Sequence, residues 1–319
     1  MSFLEVTSAG IATSIQDAGR LGLQRYGLVP SGAMDRLSLA AANALVGNSA
    51  FAAAIEIGPQ GAIFSAHRSV RVAVAGATRA ADVNGHGRRM YHSMLLADGE
   101  RLTLGAARDG VFGYLAVEGG IKGELMFNSL SVNARAGLGS PFPRPLQNGD
   151  RLEVGTPAPD ARERTLQLPP ASHSSIRVVM GPQDDEFGEA CTTFLDSEWR
   201  ISSSSDRMGY RLEGPKLRHA HDHNIVSDGT VDGSIQVSGN GQPIVLMKDR
   251  GTTGGYPKIA TVITADLGRL AQTRFGRSFR FEAVSVEDAQ AEARAFQNIL
   301  HALPGMAHDA SEANPDKRR

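Results

Sequence analysis

The segment Lys248-Asp-Arg-Gly-Thr-Thr-Gly-Gly-Tyr-Pro-Lys258 gathers Lys248, Arg250 and Lys258 around the hydroxyls of Thr252 and Thr253, two adjacent glycines, Gly254 and Gly255, and Tyr256. Cations beside a bare backbone suit an anionic substrate, because glycine takes angles closed to other residues and lets a ligand reach the amides. The competing reading is a hairpin turn with solvated charges. The neighbouring run Ser227–Pro243, dense in glycine and in hydrogen-bonding side chains such as Gln236 and Asn240, favours a site. A second concentration lies near the start of the chain, where Gln16, Asp17, Arg20, Ser31 and Asp35 are interleaved with glycines. These residues either cap and charge a helix start or hold a substrate carboxylate or phosphate there. Arg207 and Arg211 sit at a further turn, where Arg207 either clamps an oxyanion or pairs with Asp206 or Glu213.

Several common catalytic engines are missing from the sequence. It holds no Gly-x-x-x-x-Gly-Lys-Ser/Thr loop for a nucleotide, no Gly-x-Ser-x-Gly elbow for a hydrolase nucleophile and no Met-Lys-Met biotinylation site. His219-Ala-His221-Asp-His223 places three imidazoles at alternate positions. Same-face strand residues lie about 7 Å apart, too far for three of them to meet one ion, so a polar loop is expected and no metal site. The single cysteine, Cys191, excludes an internal disulfide and reads as packing rather than as a nucleophile.

These residues must be positioned by strands. Short β-branched segments closed by turn residues recur at 69–74, 101–104, 113–117, 151–154, 176–179, 243–247 and 278–281. Two near-identical turns, Ala97-Asp-Gly-Glu and Gln147-Asn-Gly-Asp, predict tight hairpins. Helices are expected over 33–46, buried, with Ser31 as N-cap and Gly47 as stop, and over 289–303, opened by Ser285-Val-Glu-Asp288 and ended by Pro304-Gly305. The proline-rich stretch between Gly155 and Ser175 is the expected linker. The spacing therefore predicts a mainly β protein with a few peripheral helices: an N-terminal β-barrel domain over 1–170, a C-terminal one over 171–305 and a disordered tail over 306–319.

With 319 residues, 33 Lys+Arg and 34 Asp+Glu, the chain has a formal charge of -1. No global field favours nucleic acid or an anionic membrane, so any electrostatics must be local. Without a long apolar run or a recognisable signal peptide, a cytoplasmic protein is expected.

Taken in order, Ile15-Gln-Asp-Ala-Gly-Arg20, Ser31-Gly-Ala-Met-Asp35, Ala42-Asn-Ala-Leu-Val-Gly-Asn48, Gly181-Pro182, Ser205-Asp-Arg-Met-Gly-Tyr-Arg-Leu212, Gly233-Ser-Ile-Gln-Val237, Gly239-Asn-Gly-Gln-Pro243 and Thr252-Thr-Gly-Gly-Tyr-Pro-Lys258 resemble the family of allophanate hydrolase subunit 2, whose members are also known as the C subunit of 5-oxoprolinase or as biotin-dependent carboxyltransferases. The resemblance spans roughly residues 3 to 290. It implies cyclophilin-like β-barrels and a B-type partner, similar to allophanate hydrolase subunit 1, whose half of the site meets this one. It also implies one of two reactions. The first is ATP-dependent opening of 5-oxoproline to glutamate, together with an A-type lactam-hydrolase protein. The second is carboxyl transfer from carboxybiotin, carried on a partner, to urea or another small amide. Some relatives instead antagonise a kinase inhibitor by protein contact. Carried onto this chain, Lys248, Arg250 and Lys258 would hold a carboxylate or phosphate, Thr252 and Thr253 would donate hydrogen bonds, and Gln16, Asp17, Gln236 and Asn240 would orient the amide. Leu130 stands where many members carry arginine, Ser238 where proline is common and Gly251 where a larger polar residue is usual, so the first of these bears on which substrate fits.

Overall fold

The computed structural model describes residues 1–159, 162–169 and 173–311. The protein is mainly β, with 30% strand and 18% helix and a nearly closed barrel sheet. Among the described residues no helix is long and apolar enough to cross a membrane.

The chain forms two compact units that exchange segments: Met1–Arg20, Ser31–Pro169 and Asn298–Arg319 build the first, Leu21–Pro30 and Pro170–Gln297 the second. In the first unit one antiparallel sheet runs Arg151–Val154, Ser2–Ser8, Ala62–His67, Arg101–Leu104, Ala81–Val83, His86–Arg88. A second runs Ser14–Gln16, Ala54–Ile57, Gly113–Val117, Val70–Gly76, Ser93–Leu96. Leu4, Val6, Phe64 and Leu102 from one sheet join Ile55, Val72, Val74 and Leu115 from the other in a single core. The helix Arg36–Leu45 packs on the strands Val70–Gly76 and Gly113–Val117. With its other face covered as well, Gly113–Val117 is buried at every residue, which is why it reads as a continuous rather than an alternating apolar run.

The second unit is built on one eight-stranded sheet, ordered Ser278–Phe279, Trp199–Ile201, Gly209–Glu213, Pro243–Leu246, Ser234–Val237, Lys258–Val262, Ile176–Met180, Phe281–Ala283. All described pairings in it are antiparallel except that of Ile176–Met180 with Phe281–Ala283. Period-two alternation sends Tyr210 and Leu212 inward and leaves Arg211 and Glu213 exposed.

Several local expectations are corrected. Gly99 and Gly149 do take left-handed φ of 79° and 88° in tight turns, but neither turn closes a hairpin. Ser93–Leu96 and Arg101–Leu104 lie in different sheets, and the two turns instead dock alike on a neighbouring strand, Gly99 N donating to Ala66 O and Gly149 N to Val6 O, both at 2.8 Å. Turn chemistry dictates the local bend, not which strands pair. Asp35, not Ser31, caps the first helix, its Oδ1 accepting from Leu37 N and Ser38 N at 3.1 Å. The last helix, Val286–Met306, opens on the expected Ser285–Asp288 bonds but runs past Pro304, which removes one intrahelical donor from the final turn.

The stretch expected as linker contributes the strand Arg164–Thr165, paired with His308–Asp309, and buries Leu166. Residues 306–311, expected as disordered tail, therefore hold the helix end and this strand, while 312–319 lie outside the described residues.

Candidate functional site

The strand Pro243–Leu246 delivers the chain into a turn closed by Arg250 N donating to Met247 O at 3.1 Å. From there Thr253–Gly254 pairs with Asp228–Gly229 before the strand Lys258–Val262 begins. This folding brings the three basic residues into buried positions, with exposures of 9% for Lys248, 3% for Arg250 and 2% for Lys258. Buried cations need partners. Asp232 supplies them for two: Lys248 Nζ lies 2.7 Å from its Oδ2, and Arg250 donates to its Oδ1. Arg250 also donates to Gln24 Oε1 at 3.0 Å, and Gln24 Nε2 reaches Thr230 O at 2.5 Å and Thr252 O at 3.4 Å. Lys258 Nζ pairs with Asp228 Oδ2 at 3.0 Å.

Three cations against Asp228 and Asp232 leave one positive charge over, 3 - 2 = 1. Burial lowers the Arg250 guanidinium while Asp232 opposes the shift. The Lys258 hydrogen bond holds the exposed Asp228 carboxyl below its ordinary range. Arg250 Nε is buried and finds no hydrogen-bond partner among the described residues.

Gln236 lies opposite Lys258 in the ladder, at a bulge, and its Nε2 donates to Tyr256 O at 3.2 Å. A Cβ on Gly254 would stand 2.3 Å from that same nitrogen, so the glycine permits the close approach of the Gln236 amide, which would have to shift for any larger residue. Gly254→Ala is expected to displace Gln236, release the Tyr256 carbonyl and loosen the segment. Hydrogen exchange at Ile225 to Lys258 reads this out, and unchanged protection would show that the amide gives way freely. Gly255 O accepts from Ile225 N at 2.9 Å, and Thr253 faces Gly229 in the short pair.

Two expected members of this cluster lie apart from it in role. Arg207 forms a fork with Asp249, at 2.9 and 3.3 Å. Asn240 Oδ1 accepts from Ser238 Oγ and Gln242 N, at 2.8 and 2.9 Å, and so shapes its own turn.

The residues Gln16, Asp17, Arg20 and Ser31 belong to the first unit, where they fasten the segment 129–133. Asp17 Oδ1 accepts from Gly19 N, Ser129 Oγ and Ser131 Oγ at 2.8, 2.7 and 2.5 Å, and Oδ2 from Leu130 N at 2.7 Å. Gln16 Nε2 bonds Ser14 Oγ and Val132 O, Arg20 donates to Ser131 O at 2.6 Å, and Asn133 donates to Ser31 Oγ at 3.1 Å. Leu130 is 5% exposed and part of the hydrophobic core, so in this chain the position packs instead of meeting a ligand.

Reading the sequence missed Asp228, Asp232, Gln24 and Gln183, the last of which accepts from Lys258 N at 3.0 Å. A signal existed for the two acids. Cations buried in a chain of balanced charge require carboxylates, and the run Ser227–Pro243 carries both.

The family model described as carboxyltransferase domain, subdomain A and B, matches residues 26–283, and the chain belongs to that family. Among its relatives is the C subunit of 5-oxoprolinase from Escherichia coli (strain K12), 38% identical over 307 residues, which are 96% of this chain and 99% of that protein. The protein of the same name from Haemophilus influenzae is 36% identical over 90% of this chain and 93% of its own length. The crystal structure of the Kluyveromyces lactis urea carboxylase superposes with a TM-score of 0.85 at 29% identity, covering 93% of this chain and 29% of that one.

Proposed function

We propose that the protein is the C subunit of an ATP-dependent 5-oxoprolinase-type complex, completing with a B-type partner a site that opens 5-oxoproline to glutamate. The observation that carries this is the end-to-end match to two 5-oxoprolinase C subunits. An A-type lactam hydrolase would complete the complex, and ATP would act through it, since this chain has no P-loop. The chain is inactive alone on this reading.

The residues of the second unit can meet the chemical demand of lactam opening. Negative charge grows on an oxygen attached to the reacting carbon, and buried cations held by fixed partners stabilise it without reorganisation. The one surplus positive charge of the cluster matches the single carboxylate of 5-oxoproline. Asp228, exposed and held by Lys258, is the acid such a carboxylate can displace. Gln236, Thr252, Thr253 and the glycines then line the approach, while Gln16, Asp17, Arg20 and Ser31 support the first unit.

The test is glutamate release from 5-oxoproline by the chain co-purified with its cognate A and B subunits. Turnover requiring ATP and all three chains is expected, and Lys258→Ala is expected to lower it by roughly a hundredfold with complex assembly intact. Undiminished turnover in that variant would remove Lys258 from the site. The likeness to urea carboxylase favours a second reading, carboxyl transfer from biotin on a partner to a small amide. An intact complex that leaves 5-oxoproline untouched but carboxylates an amide would establish it, whereas failure to assemble at all would point to regulatory binding.

A further inference from the structure

The histidine run lies in a loop, as expected, and not on a strand. Among the described residues no group of three or more His, Cys, Asp or Glu is arranged to hold a metal ion. Instead His219, His221 and His223 line a groove of about 610 Å³ together with Lys216, Leu217, Arg218 and the glycine turn Gly239-Asn240-Gly241. Among the described residues no carboxylate lines it. Beside it Asp222 Oδ1 lies 3.3 Å from His223 Nδ1.

The fold presents these groups to one side. Leu217 is 1% exposed and its N–H donates to Gly241 O at 2.9 Å, so it anchors inward and leaves the flanking Lys216 and Arg218 exposed at alternate positions. Ala220 N donates to Glu186 O at 2.7 Å and fixes the next turn of chain. His219 donates its Nε2–H to Val237 O at 3.1 Å, with its ring 5.1 Å from that of Phe187. The His223 ring lies against Gly239, where a Cβ would meet its Cδ2 at 2.7 Å. Two permanent cations, three imidazoles and the turn Gly239-Asn240-Gly241 form a concave surface whose described lining carries no carboxylate, with Asp222 beside His223 at its edge.

We propose that this groove binds the phosphate or polyphosphate group of a small ligand. Multiple oxygens of high charge density match a forked guanidinium, an ammonium and imidazoles converging on one concavity. The site uses none of the residues assigned above to lactam opening, so it stands or falls independently of that reading.

Calorimetric titration of the full chain with pyrophosphate tests it. Binding that weakens as salt rises is expected, together with a loss of roughly tenfold or more in Lys216→Ala/Arg218→Ala, whose exposed side chains can be removed without unfolding the unit. The control Arg88→Ala/Arg89→Ala, exposed cations of the first unit, is expected to bind as the unaltered chain does. Tighter binding of ATP than of pyrophosphate would assign the phosphate to a nucleotide, and equal binding to inorganic polyphosphate. Absence of pyrophosphate binding, equal loss in the control, or preference for a tetraglutamate peptide would overturn the proposal.

Discussion

Asp17→Ala is expected to unfold or severely destabilise the first unit, by about 4 kcal/mol or more, with thermal melting as the measurement. The carboxylate accepts from two backbone amides and two serine hydroxyls in a buried place, and truncation leaves all four donors unsatisfied. Asp17→Asn separates this from catalysis. It keeps an oxygen for some of the donors but turns an N–H2 toward the others, so it should also melt early, while a folded complex carrying it should turn over nearly normally. A stable Asp17→Asn protein with lost turnover would return Asp17 to the reacting centre.

Asp232→Ala should have the largest effect in the second unit. It strands Lys248 and Arg250 in buried positions without their shared acid, which costs about 3–5 kcal/mol for a buried pair broken from one side. Because the vacated space is lined by cations, acetate or formate added to this variant should recover part of the lost melting temperature, whereas the unaltered protein should not respond. An Asp232→Ala protein that melts like its parent would mean that water reaches both cations, and that the cluster is too wet to stabilise developing charge.

The strands read from the sequence were those that carry their own signal. Arg101–Leu104 and Arg151–Val154 alternate exposed and buried residues, and Gly113–Val117 is apolar throughout. What joins them was not legible, as the two docked turns show: the Asp-Gly and Asn-Gly pairs specify a bend of four residues, while pairing depends on contacts tens of residues away. The site divides the same way. The cations of Lys248–Lys258 stand together in sequence, but Asp232 is 16 and 18 residues from the cations it joins and Gln24 is 226 from Arg250. Asp17 illustrates the opposite failure. A carboxylate among glycines and polar residues has the composition of a reacting group, and only the positions of Ser129 and Ser131 reveal a fastening.

The exchange of segments between the units has a consequence for how the protein is made. Emerging from the ribosome, Leu21–Pro30 belongs to a body whose remaining chain does not begin until Pro170, and the first unit still awaits everything from Asn298 onward. Gln24 must therefore wait through the synthesis of most of the chain before Arg250 exists to meet it. Neither unit reaches its final form as an independent translation product, and a gene cut at the proline-rich boundary would encode two halves, each lacking a piece that only the other half carries.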